Sequence, residues 1–463
     1  MIKNIGKKVL FFTISSLLCC MLISCGGLSE DTTDTTITSG NLDSITAQYN
    51  YLKSSVVPLI IAGIDTTIGQ ASGFTASYDV NQYNITYTTT DANGNSTLAS
   101  AAVFVPSTNT NVNTLLYLHG STSIDNDRPT YASISYNTTN PALTTHTVEG
   151  ENAFAIALAS EGKIVIMPDY LGFGASSELH PYIHAGTLAS ASIDAVLATQ
   201  ALENSSVTEF TMSDKLIITG YSEGGYATMA THKELVNNSS SYPTIVNKIV
   251  GVIPGSPPCD LSVSMANTML NSTNYPTPAF LPFLLYAYNN AYSITTNVTS
   301  FVKPEYASAF TDLDTKTKSL GDISADLPST PNLMIADNFK AEITAALADY
   351  STDRVLDTAT ASGFYEKLND NDVYNYNPGP LLPYYILHLN ADNTVPIENS
   401  EVAVHHMTTI GTATSAAIGG NIALIDPSVG MATAYTAGTL TDHSAGFVFY
   451  ILTTKGIANT IFQ

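Results

Sequence analysis

The spacing of hydrophobic residues along this chain changes character twice, and the changes divide it. Over residues 83–90 and 96–105, apolar and β-branched residues alternate with polar ones around Asp91-Ala92-Asn93-Gly94-Asn95. A period of two fits half-buried strands, and the Asn-Gly pair between them predicts a hairpin turn. From residue 114 the pattern becomes short apolar runs separated by longer segments of helical spacing. Strands are expected at 114–118, 164–167, 215–219 and 248–253, with helices at 152–160, 184–203 and 226–236. Each parallel connection needs a crossover helix, so this alternation predicts an α/β fold with a mostly parallel sheet covered on both faces.

The regularity stops at residues 259–379. This stretch has no clear strand repeat, but Phe280, Leu281, Phe283, Leu284, Leu285 and Tyr286 crowd one short segment of it. It is expected to be a helical cap inserted into the sheet domain, which would then comprise 45–258 and 380–463. A separate small domain with its own core would look the same in sequence. The sheet pattern resumes at 384–389, with a helix around 398–407, a strand at 422–425 and a closing helix at 444–454. Residues 45–71 read as partly helical and then extended.

The first residues stand apart. Lys3, Lys7 and Lys8 precede an apolar run over 9–23 that ends in Leu22-Ile23-Ser24-Cys25. This resembles a bacterial lipoprotein signal, which implies removal of residues 1–24 and lipidation of Cys25. The resemblance implies an exported protein held to a membrane of the cell envelope by that lipid. Gly26 after Cys25 is no clear inner-membrane retention signal, so an outer-membrane or surface location is favoured. An ordinary secretory signal is the alternative; the run is short for a membrane span. Residues 25–44, rich in Thr, Ser, Asp and Gly, are expected to be a flexible tether.

Composition narrows the remaining classes. Of four cysteines, Cys19 and Cys20 would leave with the signal and Cys25 would carry lipid. Cys259 then stands alone, and no disulfide framework is available. The formal net charge is −23, from 39 acidic and 16 basic residues, with no basic stripe. Such a surface repels nucleic acid, which excludes that class of partner. No metal-ligand spacing appears, and Gly172-x-Gly174 lacks the third glycine of a dinucleotide loop, so neither a metal nor a cofactor is expected.

The candidate chemistry centres on Gly220-Tyr221-Ser222-Glu223-Gly224, between a predicted strand and a predicted helix. By composition alone, Gly-x-Ser-x-Gly arises in roughly one chain in ten of this length, so its context must decide. A serine needs a base to take its proton, and the base needs an acceptor to fix its tautomer. Asp392 follows the strand at 384–389, and His443 precedes the last helix. The order serine, acid, histidine is therefore met. Asp426 and Asp442 are the competing acids. Asp442 is sequence-adjacent to His443 and points the wrong way, and Asp426 lies in a turn with Pro427. The oxyanion donors are expected to be the N–H of Glu223 and, after the strand at 114–118, that of Ser121 in His119-Gly120-Ser121. His119, Gly120, Tyr221, Phe280, Phe283 and Leu284 are the expected substrate contacts.

With these residues go Pro168-Asp169-Tyr170-Leu171-Gly172-Phe173-Gly174, Gly255-Ser256-Pro257-Pro258-Cys259-Asp260 and Asp392-Asn393-Thr394-Val395-Pro396. Together they resemble an α/β-hydrolase, and within that fold the secretory lipase family of fungi and bacteria. The resemblance implies carboxylester hydrolysis at a capped acyl site, on a small-molecule or lipid ester. One departure is His119-Gly120, which is closer to the general esterase oxyanion loop. A serine peptidase with the same triad, and a non-catalytic surface-binding lipoprotein on the same scaffold, are the alternatives.

Overall fold

The computed structural model describes residues 40–68, 71–108, 111–131, 150–205, 208–349, 363–379, 382–410, 422–426 and 442–463. The signal, Cys25 and most of the expected tether lie outside the described residues. Strands β1 (Leu42–Tyr51), β2 (Val80–Thr90), β3 (Ser96–Pro106), β4 (Asn111–Leu118), β5 (Lys163–Pro168), β6 (Thr211–Tyr221), β7 (Ile249–Gly255), β8 (Tyr384–Leu387) and β9 (Ile422–Ile425) form one sheet. Their order is β1-β2-β3-β5-β4-β6-β7-β8-β9. The first strands pair antiparallel, β3 with β5 included, and every pair from β5 to β9 is parallel.

The β2–β3 hairpin closes where Thr90 faces Ser96. Asp91 Oδ1 accepts from the N–H groups of Asn93 and Asn95, and Gly94 takes φ +81°, a left-handed value that glycine adopts without strain. In the central strands successive side chains go to opposite layers. Leu116, Leu118, Leu216 and Ile218 face one core, while Leu115, Tyr117 and Ile217 face the other. The second core is covered by α1 (Val56–Ile68), α2 (Gly150–Ser160) and the C-terminal helix His443–Ile461. The first is covered by α3 (Ala185–Glu203) and α4 (Glu223–Asn237).

Between β7 and β8 the described residues are mostly helices and turns. One turn of π-helix, Leu261–Met265, leads into helices at Ala266–Asn271, Phe280–Tyr292, Ser308–Thr315, Leu320–Ala325, Asp337–Asp349 and Gly363–Asp370. Phe283, Phe339 and Phe364 join the same core cluster as Ile218 and Met229, so this segment shares the sheet's core. Buried hydroxyls fasten it. Tyr226 donates to the Asn371 carbonyl (2.6 Å), Tyr288 to that of Ile183 (2.9 Å) and Tyr275 to that of Thr394 (3.0 Å). Among the described residues, no helix is long and apolar enough to cross a membrane.

One expectation near the start is corrected. The tether does not run to residue 44, because strand β1 begins at Leu42 and extends to Tyr51; the helix expected within 45–71 is present at Val56–Ile68. As an edge strand, β1 keeps most of its side chains exposed. It is held by backbone pairing to β2, which leaves no apolar period to read.

Candidate active site

Ser222 sits between β6 and α4 at φ +60° and ψ −120°, a conformation that a residue with a Cβ adopts only under strain. Its N–H bonds the Gly255 carbonyl (2.8 Å), and its own carbonyl accepts from Tyr226 (3.0 Å), which locks the turn on both sides. The neighbours must be glycine. A Cβ on Gly220 or Gly224 would collide with the carbonyl oxygen of Leu118, so only bare backbone lets β4, β6 and α4 close on one another.

Asp392 follows β8, and His443 opens the C-terminal helix. His443 Nδ1 donates to Asp392 Oδ2 at 2.6 Å. The other oxygen, Oδ1, accepts from the N–H groups of Thr394 and Val395, both at 2.9 Å. Burial acts to raise the Asp392 pKa, but the bond and charge of His443 and these donors outweigh it and hold the carboxyl below its ordinary value. Behind it His388 is buried, which pushes its pKa below the ordinary value, with Nε2 donating to the Val395 carbonyl (2.9 Å) and Nδ1 accepting from Ser400 (2.6 Å). Asp442 instead caps the C-terminal helix, accepting from Ala445 N–H at 2.8 Å. Asp426 ends β9, and it is Asp392 that meets His443.

His443 Nε2 is buried with no hydrogen-bond partner among the described residues, so it is available to a group entering the site. Tyr221, the residue before Ser222, donates its hydroxyl to the His443 carbonyl (2.7 Å), and the two rings lie 4.9 Å apart. The strand carrying Ser222 therefore also holds the histidine's backbone.

In the loop after β4, Gly120 lies against Ser222, with its missing Cβ position 4.0 Å from the Ser222 Cβ. The Gly120 N–H is engaged by Glu151 Oε1 (3.0 Å). Ser121 Oγ bonds the Tyr182 hydroxyl (3.1 Å). On the other side, the Glu223 N–H heads α4, where the first donors have no acceptor within the helix. Asp169 holds loops: it accepts from Thr130 N–H (2.9 Å), Thr130 Oγ1 (2.5 Å) and Ser100 Oγ (2.5 Å).

Ser222 opens onto a cavity with an empty volume of about 790 Å³, its mouth included, lined by Met265, Met269, Leu270, Phe280, Leu284 and Phe339 among others. Of the expected contacts, Phe280 and Leu284 line it. Phe283 does not; it stacks on Tyr182, with ring centres 4.4 Å apart. His119 is buried under its loop, with Nδ1 on the Gly120 carbonyl and a face on Tyr170, and Tyr221 backs His443. Sequence reading missed Tyr182, His388 and the two methionines. The cavity wall is assembled from short separate helices, so no periodicity marks it. The four-residue spacing of His388 and Asp392 was the one available signal for the histidine.

A family model for secretory lipases matches residues 138–418. No curated protein matches the sequence. Among solved structures, one of a Legionella pneumophila protein superposes with TM-score 0.71 at 22% identity, covering 90% of this chain and 98% of that one. A form of the rice cell wall degrading esterase LipA from Xanthomonas oryzae gives TM-score 0.68 at 21% identity, covering 92% and 100%. Candida antarctica lipase A in its closed state gives 0.53 at 17%, covering 84% and 76%. These likenesses establish the α/β-hydrolase fold.

Proposed function

This chain belongs to the secretory lipase family and is a hydrolase of the lipase and esterase class; from that premise we propose that it is a serine carboxylester hydrolase acting through Ser222, His443 and Asp392. Ser222 Oγ attacks the ester carbonyl while its proton passes to His443 Nε2, and the carbonyl π electrons move onto oxygen. The oxyanion is held by the N–H groups of Glu223 and Ser121, each such donor typically worth about 3 kcal/mol. Collapse expels the alkoxide, which takes the proton from His443 and leaves an acyl-Ser222. Water, deprotonated by His443, reverses the sequence and releases the acid. Asp392 keeps the Nδ1 proton in place, so that Nε2 presents its lone pair to Ser222.

The observation that carries this reading is the 2.6 Å bond from His443 to a carboxylate whose other oxygen is already claimed by two backbone donors, beside a strained serine. The apolar cavity at Ser222 suits the acyl chain of an ester. Among the described residues its lining includes no charged side chain to anchor a peptide terminus, which favours ester over amide. We further propose export, with Cys25 as the lipid anchor and the helical segment between β7 and β8 as the cap over the acyl site.

The test is labelling by a fluorophosphonate probe, with hydrolysis of p-nitrophenyl esters of increasing chain length set against aminoacyl anilides. Labelling lost in Ser222→Ala and ester turnover well above anilide turnover are expected. Wild type labelling no better than Ser222→Ala overturns the mechanism, and preferential anilide cleavage makes it a peptidase.

A further inference from the structure

The side chain of Glu223, whose backbone follows the serine, turns inward under the elbow and is fully buried. Its Oε1 lies 2.8 Å from His180 Nε2, and its Oε2 has no hydrogen-bond partner among the described residues. The His180 side chain is also buried, and its Nδ1 lies 2.7 Å from the Leu171 carbonyl. A carbonyl only accepts, so Nδ1 must carry a proton. Nε2 then faces a carboxyl group. Either Nε2 also carries a proton or the carboxyl does, so the pair holds one proton between ring and acid and is neutral as a unit. A neutral ring beside a bare carboxylate would set a lone pair against an unsolvated charge, which burial does not tolerate.

The ring is built into place. Gly172, at φ +90°, has no Cβ to collide with the backbone of His180 and allows the two turns to touch. Phe173 (4.8 Å between ring centres) and, from the helical segment over the site, Phe283 (5.7 Å) pack on it. Such a cage holds the imidazole against Glu223 and excludes water that would otherwise solvate the carboxylate.

We propose that His180 is a positioning residue for the hydrolysis: it neutralises the Glu223 carboxyl and so fixes the first turn of α4, where the Glu223 N–H receives the oxyanion. This rests on the Ser222 mechanism proposed above. Removing the ring opens a polar space that water can enter, so Glu223 stays ionised without its counter-charge; that negative charge opposes the one developing on the oxyanion next to the Glu223 N–H, and the ground state is affected far less. The effect therefore falls on kcat.

The experiment compares His180→Ala with the double variant His180→Ala/Glu223→Gln, using p-nitrophenyl butyrate and fluorophosphonate titration of active sites, with thermal melts to confirm folding. The single variant is expected to lose about 100-fold in kcat with KM within about threefold. The double variant, which lacks the charge as well as the ring, is expected to recover at least about tenfold of that loss. A packing role alone makes the double variant as poor as the single or poorer, and that result overturns the proposal. So does a single variant with unchanged kcat. If the single variant does not fold, the folded double variant with kcat near wild type supports the proposal, and one as impaired as a donor deletion refutes it. Wild type that neither labels nor turns over ester sinks the Ser222 mechanism and this inference together; the other adverse outcomes sink only this one.

Discussion

Replacing Asp392 by Asn tests the site most sharply, because the surrounding donors dictate how the amide must sit. Asp392 Oδ1 accepts from both Thr394 and Val395 N–H, so the carbonyl oxygen of the introduced amide has to occupy that position. Its NH₂ is then forced into the place of Oδ2, 2.6 Å from His443 Nδ1. An amide N–H there requires Nδ1 to accept, which moves the imidazole proton to Nε2. Nε2, the proposed proton acceptor from Ser222, thereby becomes a donor and can no longer take the serine proton. The expected loss is about 10⁴-fold in kcat, the scale seen where the same tautomer inversion was made in a serine protease, or about 5.5 kcal/mol of transition-state stabilisation. KM should move little, since the cavity is untouched. Steady-state kinetics on a p-nitrophenyl ester at about pH 7.5, well above the ordinary histidine range, decide it, with a thermal melt as the folding control. A folded Asp392→Asn enzyme keeping more than about a tenth of wild-type kcat would refute the assignment.

Gly224→Ala drives a Cβ into the Leu118 carbonyl and should cost more than about 3 kcal/mol, whereas Gly63→Ala, on an open face of α1, should gain about 0.5–1 kcal/mol; denaturant unfolding measures both, and a Gly224→Ala protein of normal stability contradicts the elbow geometry. Met269→Trp fills part of the acyl cavity, and kcat/KM for a p-nitrophenyl decanoate should fall at least about tenfold relative to the acetate; equal losses on both esters would place the acyl chain elsewhere. Burial, with Asp260 beside it, pushes the Asp372 carboxyl up to about 8. Its folded pKa lies above its unfolded one, so this group's stabilisation is complete at low pH and is lost as pH rises toward 8, by up to about 1.4 kcal/mol per unit. Melting of Asp372→Asn should therefore be less sensitive to pH between about 5 and 8 than wild type, and parallel curves would show that Asp372 does not titrate there. His184 and His232 work in the opposite direction, because burial pushes them down to about 4 and about 3. Their stabilisation is present above about pH 6.5, the ordinary histidine value, and is lost on acidification from there down to about 4 for His184 and about 3 for His232, which acid unfolding of a His232→Asn variant should show as a reduced slope.

Much of this molecule is written locally. A period of two around Asn93-Gly94 specifies the β2–β3 hairpin, and continuous apolar runs mark β4 to β7, because strands buried on both faces have no polar alternation to lose. The elbow is legible for a similar reason: only glycine at 220 and 224 permits the close approach, so the requirement stands in the sequence as residue type. Asp392 and His443 were readable from their order and from their places after a strand and before a helix.

Other features depend on which surfaces the fold brings together. Strand β1 is held by main-chain hydrogen bonds at a sheet edge, which any side-chain pattern allows. The apolar cavity at Ser222 takes residues from helices far apart in sequence, so Met265, Met269 and Phe339 carry no common spacing. The rotation of the helix Phe280–Tyr292 sends Phe280 and Leu284 into the cavity while Phe283 goes to Tyr182 and His180. Pairing of His180 with Glu223 across 43 residues is decided by the turn at Gly172 and the burial around it. The proposed reacting groups and their order can be read along the chain alone, because they are matters of residue type and backbone sterics. What surrounds them emerges only on packing, because burial and charge pairing depend on neighbours that the chain brings together last.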